Sequence, residues 1–301
     1  MADQFSVHGM ITALVTPFTQ RGDVDEDSFR EIVQFQLKSG VHGLFVNGTT
    51  GMGTVMMPEQ RKRVAEIAIE EAKGRIPSII HVGAVDPSVG LDLAVHAEKT
   101  GADAVASVTP FYYQPGEEAT LEHYRRLSEA TKLPIFVYNI PRNTGNNVDA
   151  GLLSKLSKIP RVVGIKDSSR DFSQLLDFLQ VIPDGFNVVN GTDSYQFSAF
   201  CAGVKAGVSA TANVIPELFV EMYNAYKTNN LEKGKALQFK IHAARTLLSK
   251  PAIAPLLEAL KLRGLRSGFV KPPLRSMTTT EIANLRESFT RTLPEIKQVR
   301  A

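Results

Sequence analysis

Eight short, β-rich apolar runs alternate with longer amphipathic stretches along this chain, and few architectures accept that pattern. The runs lie at 11–18, 43–47, 78–83, 104–109, 135–140, 162–166, 187–190 and 208–211. Helical spacing fills the gaps at 25–39, 58–73, 87–100, 117–131, 150–157, 172–180 and 194–202, and follows the last run at 216–229. Asp25 precedes an acidic first turn, and Pro58 and Pro87 suit a first helical position, where the missing N–H costs nothing. Gly40, Gly74 and Gly101 follow helical stretches and supply a left-handed stop. Strands alternating with helices of this length imply βαβ units and a parallel sheet. Near-continuous apolar strands imply that both sheet faces are covered. Eight units predict an α/β protein, a closed (β/α)8 TIM barrel. An open doubly wound sheet would carry a glycine fingerprint after its first strand, and Phe18-Thr-Gln-Arg-Gly22 is not one.

Past residue 229 the pattern becomes helix only, at 232–249, 253–263 and 280–291, with Pro272-Pro273 as a linker before the last. The expected organisation is therefore a catalytic barrel over 1–229 and a C-terminal helical extension over 230–301 packed on it. No repeat beyond the βα unit is visible. A net charge of +3, with no Lys/Arg block interleaved with aromatics, argues against a nucleic-acid face. No stretch is apolar and long enough to span a bilayer, and residues 1–9 lack a basic segment leading into an apolar one. The expected location is the cytoplasm, with no membrane partner. The single cysteine, Cys201, excludes an intrachain disulfide and a multi-cysteine metal site, and its Phe-Cys-Ala-Gly context predicts a small buried helix residue. The six histidines show no metal-ligand spacing. His81 falls inside the third strand and reads as a hydrogen-bonded core residue.

In such a barrel the active site lies at the C-terminal ends of the strands. The sixth run ends on Lys166, directly after Val162, Val163 and Ile165. A lysine at a strand exit can keep its head in water and lay its stem on apolar neighbours. Alternatively it is buried, which depresses its pKa and yields the nucleophilic amine that imine chemistry on a carbonyl needs. Alternation puts Gly164 with Lys166, and Phe136 with Tyr138 on the fifth strand, on one face each. If that face is the lumen, amine and phenol meet at one mouth, with Gly164 leaving room beneath the lysine and Tyr138 placed to carry a proton. The second strand exits into Asn47-Gly48-Thr49-Thr50-Gly51, whose glycines free backbone N–H groups and whose threonines add hydroxyls for a carboxylate or phosphate. It lacks the Gly-Lys-Ser/Thr ending of a P-loop. The remaining exits carry Tyr112-Tyr113, Asn139-Ile-Pro-Arg-Asn143, and Asn190-Gly-Thr-Asp193.

Gly48-Thr-Thr-Gly51, Thr109-Pro-Phe-Tyr-Tyr113, Tyr138-Asn-Ile-Pro141 and Gly164-Ile-Lys-Asp167 together resemble, in order and spacing, the dihydrodipicolinate synthase/N-acetylneuraminate lyase family of pyruvate-dependent class I aldolases. The resemblance runs from about Gly9 to the C-terminal helices. It implies that Lys166 forms the imine with pyruvate and that Tyr138 shuttles protons. It implies that Thr49 and Thr50, beside Gly48, hold the pyruvate carboxylate, with Thr50 also relaying protons to Tyr138. Tyr112 matches a relay tyrosine that reaches into a neighbouring subunit, and Gly191 and Val208 fall where backbone groups line the pocket. A homotetramer built as a dimer of dimers, and no metal or organic cofactor beyond the covalent imine, are likewise implied.

Two departures bear on the substrate. The synthases carry an arginine two residues after the proline of Tyr-Asn-x-Pro, which holds the carboxylate of aspartate semialdehyde. Here that place is Asn143, and Arg142 stands one residue early. The glutamate that usually follows Gly-Thr-Thr-Gly is Met52, as in 2-keto-3-deoxy-sugar-acid aldolases, and Asn143-Thr144-Gly145 is similar to the 4-hydroxy-2-oxoglutarate aldolase branch. Pro58 and Arg61 replace the histidines of a lysine feedback site. The expectation is an aldolase or lyase releasing or condensing pyruvate with a small aldehyde through a 4-hydroxy-2-oxo acid. Dihydrodipicolinate synthase, a keto-deoxy sugar acid dehydratase and a non-catalytic barrel are the alternatives. The intact Lys166, Tyr138, Thr49 and Thr50 speak against the last.

Overall fold

The computed structural model describes residues 5–296; residues 1–4 and 297–301, the two ends of the expected units, lie outside them. The eight strands are β1 Gly9–Ala13, β2 Gly43–Val46, β3 Ser78–His81, β4 Ala104–Val108, β5 Ile135–Asn139, β6 Val162–Asp167, β7 Asn187–Asn190 and β8 Ala206–Ser209. All pair in parallel with their sequence neighbours, and β8 closes on β1, giving the expected (β/α)8 barrel.

Helices α1 Glu26–Lys38, α2 Pro58–Ala72, α3 Pro87–Thr100 and α4 Gly116–Ala130 follow the first four strands. A short α5, Pro141–Thr144, and then α6 Ala150–Leu156 follow β5, while α7 Phe172–Val181, α8 Gln196–Cys201 and α9 Pro216–Lys227 complete the ring. The C-terminal helices are α10 Leu231–Leu247, α11 Ala254–Leu262 and α12 Thr279–Thr292. Local chemistry sets the helix starts. Asp25, Asp86, Asp149, Asp171 and Asn230 each accept a backbone N–H from their own first turn, and Thr278 with Glu281 forms a capping box.

Two apolar layers result. Met10, Leu44, Val46, Ile80, Val105, Val137, Ile165 and Val188 face the helices. Ile11, Phe45, Ile79, Ala106, Phe136, Tyr138, Val189 and Val208 fill the lumen. Side-chain alternation therefore puts Lys166, which pairs with Tyr138 across β5 and β6, on the lumen side.

The structure corrects several local readings. β1 begins at Gly9 and stops at Ala13 although the apolar run continues to Phe18. Beyond it the Val15 N–H is taken by Asn213 Oδ1 at 3.0 Å, Pro17 has no N–H to offer, and Phe18 pairs antiparallel with Phe269. β8 begins at Ala206 and yields after Ser209 to a 3-10 turn, Thr211–Asn213. Cys201 ends α8 as expected but is exposed, because Phe197 and Phe200 define the buried face and the next residue is rotated off it. Gly164 does not leave space beneath Lys166. A Cβ there would stand 2.5 Å from the Phe136 ring and 2.8 Å from Asn187 O, so the aromatic ring occupies the room that the glycine frees.

Candidate active site

Lys166 is 5% exposed, at the mouth of the lumen. Its Nζ lies 3.9 Å from the centroid of the Phe45 ring and 3.8 Å from that of Tyr138, so the head is enclosed by aromatic faces and not in water. Burial pushes the ammonium below the ordinary lysine value, opposed by Tyr138 and by the negative charge of Asp193. Burial alone would raise the Tyr138 phenol. The charge of Lys166 and hydrogen bonding with Thr49, Lys166 and Ser168 outweigh it and hold the phenol below its ordinary value. Amine and phenol thus share one enclosed site, each acting on the other's protonation.

Lys166 and Tyr138 open into a cavity of about 510 Å³, also lined by Thr49, Thr50, Asn143, Gly191 and Val208. Thr49 Oγ1 stands 3.3 Å from Tyr138 OH, within hydrogen-bond distance. Thr50 borders the same cavity, so the hydroxyl beside the phenol is that of Thr49, where the resemblance implied Thr50. Gly48 is buried one residue behind the wall, and a Cβ there would meet the Phe45 ring at 2.7 Å. Its role is to let the β2 exit close over the aromatic that flanks Lys166. At Gly191 a Cβ would fall 2.1 Å from Ser168 Oγ, so the β7 exit also needs glycine to pass the β6 exit. Tyr112 lies outside the cavity in this chain. It is 82% exposed, holds φ at +78° and meets Tyr113 edge-on at 5.0 Å.

The β2 exit is held from behind by Arg61, 3% exposed, which donates to His81 O at 2.7 Å and Gly83 O at 3.0 Å. Its own carbonyl accepts from Asn47 Nδ2 at 2.8 Å. His81, as expected, is a hydrogen-bonded core residue, with Nδ1 3.1 Å from Asn47 O. Met52 is buried at φ +57° with its sulfur 3.5 Å from the Lys271 N–H, and it does not line the cavity.

Sequence reading placed Asp193 at a strand exit without giving it a role, and missed Ser168, Arg170 and Arg245; all four line the cavity. Ser168 and Arg170 follow the end of β6, so the strand-end rule could have found them. Asp193 is 7% exposed; burial raises its carboxyl above the usual range against hydrogen bonds from Thr211 and Ser209. Arg245 has no such signal. It sits on α10, which packs on α9 and the 3-10 turn Asp193–Tyr195, and with Leu248, Ile253 and Leu256 it forms one wall. The helical extension therefore completes the site. Arg142 lines the cavity together with Asn143 because the segment coils into α5, where successive side chains turn by about 100° and not 180°. Among the described residues no group of three or more His, Cys, Asp or Glu side chains could hold a metal ion, and no helix is long and apolar enough to cross a membrane.

The model of the dihydrodipicolinate synthetase family matches residues 6–292. A 4-hydroxy-tetrahydrodipicolinate synthase of Methanopyrus kandleri is 35% identical over 275 residues, 90% of this chain and 91% of that protein. Among solved structures, the dihydrodipicolinate synthase of Thermotoga maritima superposes with a TM-score of 0.89 at 32% identity, covering 96% of this chain and 99% of that one. A prophage protein of the same family from E. coli K12, solved in complex with pyruvate, gives 0.91 at 25% identity over 95% and 98% of the two chains. The chain thus belongs to the dihydrodipicolinate synthetase family, whose members are class I aldolases and lyases that make or break carbon–carbon bonds.

Proposed function

We propose that this enzyme is a pyruvate-dependent aldolase or lyase that works through an imine on Lys166 and makes or cleaves a 4-hydroxy-2-oxo acid. The observation that carries the reading is the burial of the Lys166 amine between Phe45 and Tyr138, beside the Thr49 hydroxyl. In the neutral form the amine attacks the keto carbon of pyruvate, whose carboxylate is held by Thr49 and Thr50. Tyr138 returns a proton to the carbinolamine oxygen, and water leaves as the imine forms. The imine draws electrons from the adjacent methyl group, which loses a proton to give the enamine. The enamine carbon attacks the aldehyde carbon, Tyr138 protonates the new alkoxide, and one water hydrolyses the imine to free the lysine. Cleavage runs the same steps in reverse. Tyr112, exposed here and held at φ +78°, fits a role across a subunit boundary in a homotetramer.

A second reading, condensation of pyruvate with aspartate semialdehyde, is favoured by the name of the Methanopyrus kandleri relative and by Arg142, which lines the cavity beside Asn143.

Incubation with pyruvate and sodium borohydride, followed by peptide mapping, tests the chemistry. An adduct on Lys166 supports the imine, and a folded protein without one refutes it. A panel of aspartate semialdehyde, glyoxylate, glyceraldehyde and N-acetylmannosamine then separates the substrate readings.

A further inference from the structure

β6 is not a regular strand. Ile135 pairs with Val162, but the next residue of β5, Phe136, pairs with Gly164, so Val163 is skipped as a bulge. Val162 and Ile165 pack in the helix-facing layer, whereas Val163 packs against the lumen cluster. A Cβ at Gly164 would meet the lumen ring of Phe136. Two consecutive residues thus share the lumen side, and alternation resumes one residue late. Strict alternation from Val162 would send Lys166 to the helices. The bulge turns it inwards.

Such a strand has a competing register. If the upper half of β6 slid by one residue, the ladder with β5 would be regular, Ile165 would face Tyr138, and Lys166 would leave the lumen. Two contacts oppose that slip. At the bulge, the Val163 carbonyl accepts from Asn187 Nδ2 at 2.9 Å. Beyond Lys166, Asn139 and Asp167 are the next pair in register, and both are fully buried. Asn139 Nδ2 donates to Asp167 Oδ1 at 2.8 Å. Each side chain is also anchored elsewhere on the helix side. Asn139 Oδ1 accepts from the Val148 N–H at 3.0 Å, and its Nδ2 also reaches Asn147 Oδ1 at 2.9 Å. Asp167 Oδ2 accepts from Ser169 Oγ at 2.7 Å, and Gln174 Nε2 stands 3.4 Å from Oδ1. These partners are all neutral, and burial draws the carboxyl above the usual range. A polar pair kept in a core at that cost acts well as a register device.

We infer that Asp167, through its hydrogen bond to Asn139, is a positioning residue that holds the bulged register of β6 and so keeps Lys166 in the lumen beside Tyr138. The chemical consequence rests on the imine reading of Lys166; the lock itself rests on the bulge and the buried pair.

The test uses the full chain and compares the wild type with Asp167→Ala and Asp167→Asn. The asparagine can still accept from Asn139 and donate to Ser169 without a charge, and the alanine can do neither. The Lys166 amine is titrated by competitive acetylation with acetic anhydride across pH, read by peptide mapping. The rate of borohydride trapping with saturating pyruvate is measured alongside. In Asp167→Ala the Lys166 titration should move up towards the ordinary 10.5, because the amine leaves its aromatic enclosure. Trapping should slow by about tenfold to a hundredfold, the cost of a misplaced reacting group. Asp167→Asn should recover most of both. A downward shift in both variants, or no recovery by the asparagine, would assign the effect of Asp167 to its charge and overturn the lock. Unmoved titration and trapping in Asp167→Ala, with only the urea midpoint lowered, would leave Asp167 a stabilising residue and overturn it too. Asn139→Ser removes the same bond from β5 and must reproduce the alanine result; it replaces Asp167→Ala if that variant does not fold. If the wild type fails to trap, the imine reading falls and the titration alone judges the lock.

Discussion

The amine of Lys166 stands 3.8 Å from the centroid of the Tyr138 ring, and the two residues are direct partners across β5 and β6. One strand register thus fixes both the proposed nucleophile and its proposed proton carrier. Tyr138→Phe keeps the ring that covers the amine and removes only the hydroxyl. The variant should still be trapped by borohydride with pyruvate at Lys166, while kcat falls by about a hundredfold or more, the usual worth of a positioned acid or base. Unchanged kcat would remove Tyr138 from the proton path.

Burial lowers the pKa of Lys166, and that has opposite consequences for activity and stability. The unfolded lysine keeps its ordinary value of 10.5, so between the folded and ordinary values the unfolded chain binds the extra proton. Stability from this group rises with pH across that window and is lost as pH falls through the folded value. Lys166→Met removes a buried ionisable group of similar length. It should abolish turnover and raise Tm at neutral pH, with the gain shrinking as pH rises towards 10.5. A fall in Tm at neutral pH would show that the aromatic faces more than offset desolvation.

Gly164 pairs with Phe136, and a Cβ at this position would press on that ring at 2.5 Å and on Asn187 O at 2.8 Å. The backbone oxygen cannot move without shifting β7. Gly164→Ala should therefore cost about 1–3 kcal/mol in urea unfolding, as overpacking of a dense core does. It should also slow imine formation, because Lys166 is two residues along the same strand. Wild-type stability would mean that both the Phe136 ring and β7 give way without cost.

Arg61 ties the exits of β2 and β3 together through His81 O, Gly83 O and Asn47. Arg61→Met preserves the stem and leaves two buried carbonyls without donors. The expected loss is about 2–4 kcal/mol, with a raised KM for pyruvate because the Asn47–Thr50 turn loses its support. Stability loss with an unchanged KM would confine Arg61 to a packing role.

The barrel was legible because alternation of apolar runs with capped helices has few solutions, and Lys166 because an ionisable residue interrupts a β-branched run. What escaped has physical reasons. The apolar segment 14–18 reads as strand, yet Pro17 and the capture of Val15 N–H by Asn213 end β1 early, and only the tertiary partner reveals it. Arg142 stood one residue early against the arginine that the resemblance implied, and only the helical turn of α5 shows that it reaches the cavity beside Asn143. Arg245 had no sequence signal, since its place depends on how α10 packs over the β7 exit. Local patterning thus defines the strand ends but not the wall that a later helix lays across them.

Asp193 gives the sharpest test of the electrostatics around Lys166. Its negative charge raises the Lys166 pKa, opposing burial. Asp193→Asn removes that charge and keeps a polar side chain of the same size beside Ser209 and Thr211. The amine should then be neutral at lower pH. In borohydride trapping with saturating pyruvate, the rising limb of the pH–rate profile should move to lower pH, by an amount that adding salt reduces only slightly because the pair is buried. An unmoved profile would mean that Asp193 is protonated in the folded enzyme, which its own burial also favours. A shift to higher pH would mean that the carboxyl acts on Lys166 through its position and not through its charge.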